Sequence, residues 1–137
     1  MRRTILQATA ALALAAALPL TAATNPARAQ DTQPAYLVAS LKVDDLNAYF
    51  QQYGGPVFPQ LQAAGAEVLV GAPSVDVLEG DYGATWTAVV RFPSMDALQG
   101  WYGSDEYQAI APARRERTVG APSFMIAAPA FAGPPAQ

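Results

Sequence analysis

Cysteine and histidine are both missing from the 137 residues, and lysine occurs once, at Lys42. Without cysteine there is no disulfide framework, no thiol nucleophile, no thiolate metal site and no lipid attachment through an amino-terminal thiol. Without histidine the chain lacks the side chain that titrates nearest neutrality, the usual base of a serine triad and the commonest zinc and haem ligand. Acid–base work is left to carboxylates, tyrosine, arginine or Lys42. No phosphate-binding loop or dinucleotide fingerprint is present, so no cofactor is expected. Asp44 and Asp45 read as helix-start residues rather than metal ligands.

Basic charge is scarce too, and unevenly spread. Arg2 and Arg3 precede an apolar, alanine-rich run from Ile5 to about Ala23, broken by Pro19, and Ala27-Arg28-Ala29 closes the segment with a small-x-small pattern. This reads as a cleavable signal peptide over residues 1–29, its run being weaker than the ~20 strongly apolar residues of a membrane span. The alternative is an uncleaved amino-terminal anchor. Arg2-Arg3-Thr4-Ile5-Leu6 also matches part of a twin-arginine signal. The expected location is periplasmic or secreted, with no membrane attachment after cleavage. Cleavage removes three of the eight basic residues and none of the eleven acidic ones, leaving residues 30–137 with a net charge of −6. That balance argues against nucleic acid or anionic lipid as a partner, because both need clustered Lys and Arg to replace counterions.

The mature part has the length of one domain. Residues 30–34 form a short linker, 35–127 the domain, and 128–137 a Pro- and Ala-rich tail expected to be disordered. Ala35 to Lys42 reads as a strand. Leu46, Phe50, Tyr53 and Val57 give one helical stripe, which Gly54-Gly55-Pro56 is expected to divide into two pieces, with Pro56 in a first-turn position and Gly65 as a left-handed cap. Glu67 to Gly71 and Val75 to Glu79 read as second and third strands joined by a tight turn. Ala84 to Phe92 alternates most clearly, with Trp86, Ala88, Val90 and Phe92 on one face, and is expected near the middle of the sheet. Ser94 and Ser104 cap two further helices, Gly103 separates them and Pro112 is expected to bend the second. Ser123 to Ala127 is a last short strand.

Setting aside the short third strand as a hairpin extension, this order is the split βαβ pattern of a ferredoxin-like α+β domain, an antiparallel sheet with its helices on one face. The other face has no layer of its own, and a second copy packed sheet to sheet is the simplest partner, giving a homodimer. Several signatures occur together in order: Tyr53 with Val57, Pro59 and Leu61; Leu78-Glu79-Gly80; Phe92-Pro93-Ser94; Trp101-Tyr102; Ser104-Asp105-Glu106-Tyr107-Gln108-Ala109; and Arg114. As a set they resemble the family called domain of unknown function 1330, in the dimeric α/β-barrel superfamily. The resemblance implies the ferredoxin-like fold and dimerisation and carries no established activity. The chain departs from it at Gly54-Gly55-Pro56, where an unbroken helix is expected, and in carrying an export signal.

Glu79 is the first candidate for chemistry. Strand alternation puts it on one face with Val75 and Val77, and a partly desolvated carboxylate there suits a general base; the plainer reading is a wet strand end beside Gly80. Arg114 shares a helical face with Tyr107 and Ile110. It can fork onto a carboxylate, either Glu79 or an acidic ligand, or it can snorkel to the surface beside the solvated Arg115 and Arg117. Tyr53, Trp101 and Tyr107 can line a pocket or simply fill the core. Two functions follow. One is a small-molecule pocket, with Glu79 as base and Arg114 or Tyr107 holding negative charge, suited to cofactor-free proton transfer or oxygenation of a small organic acid or aromatic. The other is a non-enzymatic binding or assembly module.

Overall fold

The computed structural model describes residues 33–120 and 123–134. The signal peptide read over 1–29, and the end of the tail, lie outside them. β1 (Ala35–Leu41) leads to α1 (Leu46–Tyr49), which Asp45 caps by accepting from the Ala48 amide at 3.0 Å. The chain then passes through a π-helical segment, Phe50–Gly54, into α2 (Gly55–Ala63). The expected break at Gly54-Gly55-Pro56 is therefore not a break. Both glycines keep right-handed helical angles, and the Gly55 amide donates to the Phe50 carbonyl, five residues back. Pro56 has no amide to donate, so widening the turn ahead of it lets the helix run on. Gly65, at φ +71°, ends α2 with its amide on Gln62 O and the Ala66 amide on Leu61 O, the double closure that a left-handed residue after a helix permits.

β2 (Glu67–Ala72) and β3 (Trp86–Phe92) follow, then α3 (Met95–Tyr102), α4 (Asp105–Glu116) and β4 (Phe124–Pro129). Ser94 and Ser104 cap α3 and α4 through their hydroxyls, as their sequence positions predict. α4 continues through Pro112 to Glu116. β4 reaches two residues beyond the expected Ala127, and the Ala130 amide then donates to Pro34 O, so the start of the tail pairs along β1.

The sheet is antiparallel throughout, in the order β2-β3-β1-β4. Alternate residues of β1 (Ala35, Leu37, Ala39, Leu41) and β3 (Val90, Phe92) are buried with Tyr49, Tyr53, Val57 and Leu61 from the first helical stretch and Leu98, Trp101, Tyr107 and Ala111 from the last two helices. All the described helices thus pack on one face. The opposite face carries Val70, Phe124 and Ile126, 40%, 44% and 51% exposed.

One expected strand is absent. Residues 73–85 connect β2 to β3 without ladder pairing, and Val75, Val77 and Leu78 are exposed, Leu78 at 93%. Pro73 supplies no amide donor. β2, the edge strand, has one free side, but residues 73–85 do not pair with it, and strand-favouring residues without pairing do not make a strand. The connection is tied down instead by Tyr82, whose hydroxyl meets Thr87 Oγ1 at 2.6 Å.

Candidate functional site

Between the helices and the sheet lies a cavity of about 220 Å³. Its origin is a row of small side chains. Ala39 of β1 pairs in register with Ala88 of β3, and Ala88 with Gly71 of β2, all facing the helices. The rows on either side are bulkier: Leu37 beside Val90 and Val68, and Leu41 beside Trp86. Large side chains hold the helices off while the middle row leaves a hollow, since a close-packed interior fills only where atoms are supplied. Gly54 in the π-helical segment deepens it. A Cβ there would lie 2.5 Å from Phe50 Cδ1, so the missing side chain is what lets the Phe50 ring fold over the helix and meet Trp86 edge-on at 4.8 Å.

The wall is almost wholly apolar. Its ionisable groups are Tyr49 and Tyr53 from the first helical stretch and Arg114 from α4. Arg114 follows Tyr107 and Ala111 at helical spacings of seven and three, which places it on the inward stripe of α4. It is only 9% exposed, so it does not snorkel. Its Nε is buried and meets no hydrogen-bond acceptor among the described residues, and its Cζ stands 6.0 Å from the Tyr53 ring centroid. Trp101, also on the wall, likewise has its Nε1 buried and unpartnered. Burial pushes the Tyr49 and Tyr53 hydroxyls well above the ordinary tyrosine range; Arg114 pulls both the other way without cancelling the effect. Both therefore face the cavity as neutral phenols.

Tyr53, Trp101 and Arg114 are thus brought together. Tyr107 stands behind them, fully enclosed and off the cavity wall, with its ring 4.3 Å from Trp101 and its hydroxyl 3.4 Å from that of Tyr53. It supports the wall rather than facing a ligand. Glu79 is removed from the site altogether. It lies exposed on the 73–85 connection, is not on the cavity wall and forms no ion pair with Arg114. The reason is the missing strand, since alternation can turn a side chain inward only where a sheet exists to define inward. Arg117, expected to be solvated, is partly exposed and pairs with Asp44 at 3.6 Å. Tyr49, Phe50, Trp86 and the Gly71–Ala88–Ala39 row were not legible as site residues. The small residues give no periodic signal, and their alignment is a property of strand register. Among the described residues no group of three acidic side chains could hold a metal, and no helix is long and apolar enough to cross a membrane.

A four-stranded antiparallel sheet in this order, with helices on one face and a hollow between the layers, defines a ferredoxin-like α+β domain. Residues 34–127 match the family model described as domain of unknown function (DUF1330), and the chain belongs to that family. No curated protein matches the sequence. Among solved structures it is similar to a protein of unknown function from Rhodopseudomonas palustris, at 17% identity and TM-score 0.58 over 77% of this chain and 89% of that one. The methylated form of that protein gives TM-score 0.60 at 17% identity, over 76% of this chain and 86% of the other. A Caulobacter crescentus protein provisionally assigned as an antibiotic biosynthesis monooxygenase gives TM-score 0.53 at 23% identity, over 76% and 95%. At these identities the likeness shows the fold.

Proposed function

We propose that this domain binds a small, largely apolar organic molecule in the cavity between its helices and its sheet. The observation that carries the reading is the aromatic-walled hollow of about 220 Å³ above the Gly71–Ala88–Ala39 row. An engineered apolar cavity of roughly 150 Å³ accepts benzene, so this one has room for a single ring with a short substituent. Binding, rather than turnover, is what the side chains support. The base expected for proton transfer, Glu79, is outside the cavity, and the phenols on its wall hold their protons too tightly to serve at neutral pH. Thermal unfolding of the purified domain with benzyl alcohol, benzamide and benzoate tests the reading. At least one compound is expected to raise Tm in a concentration-dependent way, and Ala88→Leu, which fills the middle of the small row, is expected to abolish that rise. No shift from any of the three, or the same shift in Ala88→Leu, would overturn it.

We further propose that the chain is exported and pairs through its open sheet face. Support comes from the basic-then-apolar first residues, and from the exposed Val70, Phe124 and Ile126 on a sheet face that carries no helix. Mass spectrometry of the protein recovered from a secreting host, under denaturing and then native conditions, tests both. The denatured chain is expected to begin at Gln30 and the native species to have twice its mass, reverting to one chain in Ile126→Glu. A full-length denatured chain contradicts export with cleavage, and a single-chain native mass contradicts pairing.

A further inference from the structure

We infer that the cavity is built for the carboxylate of a small monoanionic organic acid carrying one ring, with Arg114 as the group that receives it. This rests on the reading of the cavity as a small-molecule site. The two buried polar atoms of wall residues that lack a partner among the described residues are both donors. Arg114 Nε and Trp101 Nε1 are both buried without an acceptor. The ion pairs among the described residues lie elsewhere, Arg91 with Glu67 and Arg117 with Asp44, and no carboxylate belongs to the cavity wall. A guanidinium that is 9% exposed and faces no counter-charge is costly to bury. Unpartnered donors select a group that accepts, and a cation among them selects an anion. The planar fork of a guanidinium matches a carboxylate in particular. One cation balances one negative charge, which disfavours dianions. The remaining wall, with Tyr49, Phe50 and Trp86 among its rings, suits an apolar body rather than a bare inorganic ion.

Titration calorimetry at neutral pH with sodium benzoate and with benzamide, which has nearly the same shape and no charge, separates the two ideas. Benzoate is expected to bind roughly 10- to 100-fold more tightly than benzamide, the range for a hydrogen bond to a charged group. Arg114→Met should bring the two affinities together by weakening benzoate alone. Arg114→Lys should recover part of the preference, because it restores the charge and not the fork. Equal binding of benzoate and benzamide by the wild type would overturn the inference while leaving a small-molecule cavity intact. Binding of neither would remove both. If Arg114→Met does not fold, the wild-type comparison together with Arg114→Lys decides the matter.

Discussion

Replacing Arg114 by Met should make the unliganded domain more stable, by about 1–3 kcal/mol, although it deletes one of the most enclosed polar groups in the molecule. The residue is 9% exposed, pairs with no carboxylate among the described residues, and its buried Nε makes no hydrogen bond there. Its guanidinium lies over the Tyr53 face at 6.0 Å, worth roughly 0.5–2 kcal/mol where water is excluded. Methionine keeps most of the length, is flexible enough to fill the space and needs no hydrogen-bond partner. For a domain of this size each kcal/mol corresponds to about 4–8 °C in Tm. Urea unfolding at neutral pH without ligand checks the sign, with an unchanged m-value showing that the denatured state is not the source. Loss of stability would mean that Arg114 is already satisfied within the fold, and the argument for an anionic ligand would go with it. A site that costs stability when empty is what a binding function leaves behind.

Above pH 10 the domain should lose stability steeply. Burial, the largest influence, raises the Tyr49 and Tyr53 hydroxyls above the ordinary 10.0; Tyr107 adds to the effect at both, and Arg114 opposes it. The folded state therefore keeps its phenolic protons at a pH where the unfolded chain releases them. Stability from these two groups is intact below pH 10 and falls as pH rises beyond it, because base draws the equilibrium toward the state that binds fewer protons. Each tyrosine can contribute up to about 1.4 kcal/mol per pH unit in that window, so the pair approaches roughly 3 kcal/mol per unit. Tm measured from about pH 8 to 11 should stay level and then drop, and Tyr53→Phe should cut the slope by about half. At neutral pH that substitution loses only a long contact to Tyr107 at 3.4 Å. An unchanged slope would place the alkaline transition in other groups.

The parts of the fold that follow from local chemistry were legible in the sequence. Alternation in β3, the serine caps of α3 and α4, Asp45 at the start of α1 and Gly65 after α2 each state their role within a few residues. Arg114 was legible as an odd residue on an apolar stripe. Val75 to Glu79 misled because its valines and leucine are strand-favouring in isolation, while pairing depends on an edge that residues 73–85 do not meet. Gly54-Gly55-Pro56 misled in the other direction. Its residues are breakers in isolation, but the packing of Tyr53 and Val57 against the sheet carries the helix through them as a π-helical turn.

What the sequence determined alone is the order of the strands and helices that do form, the helix caps, the acidic balance of residues 30–137 and the exclusion of thiol and imidazole chemistry, because each is fixed by residue identity or by neighbours a turn away. What only the tertiary structure decided is the cavity. Gly71, Ala88 and Ala39 are far apart in the chain and become one row through strand register. The orphaned guanidinium is likewise defined by which carboxylates fail to reach it. Both are matters of three-dimensional position, on which spacing along the chain is silent.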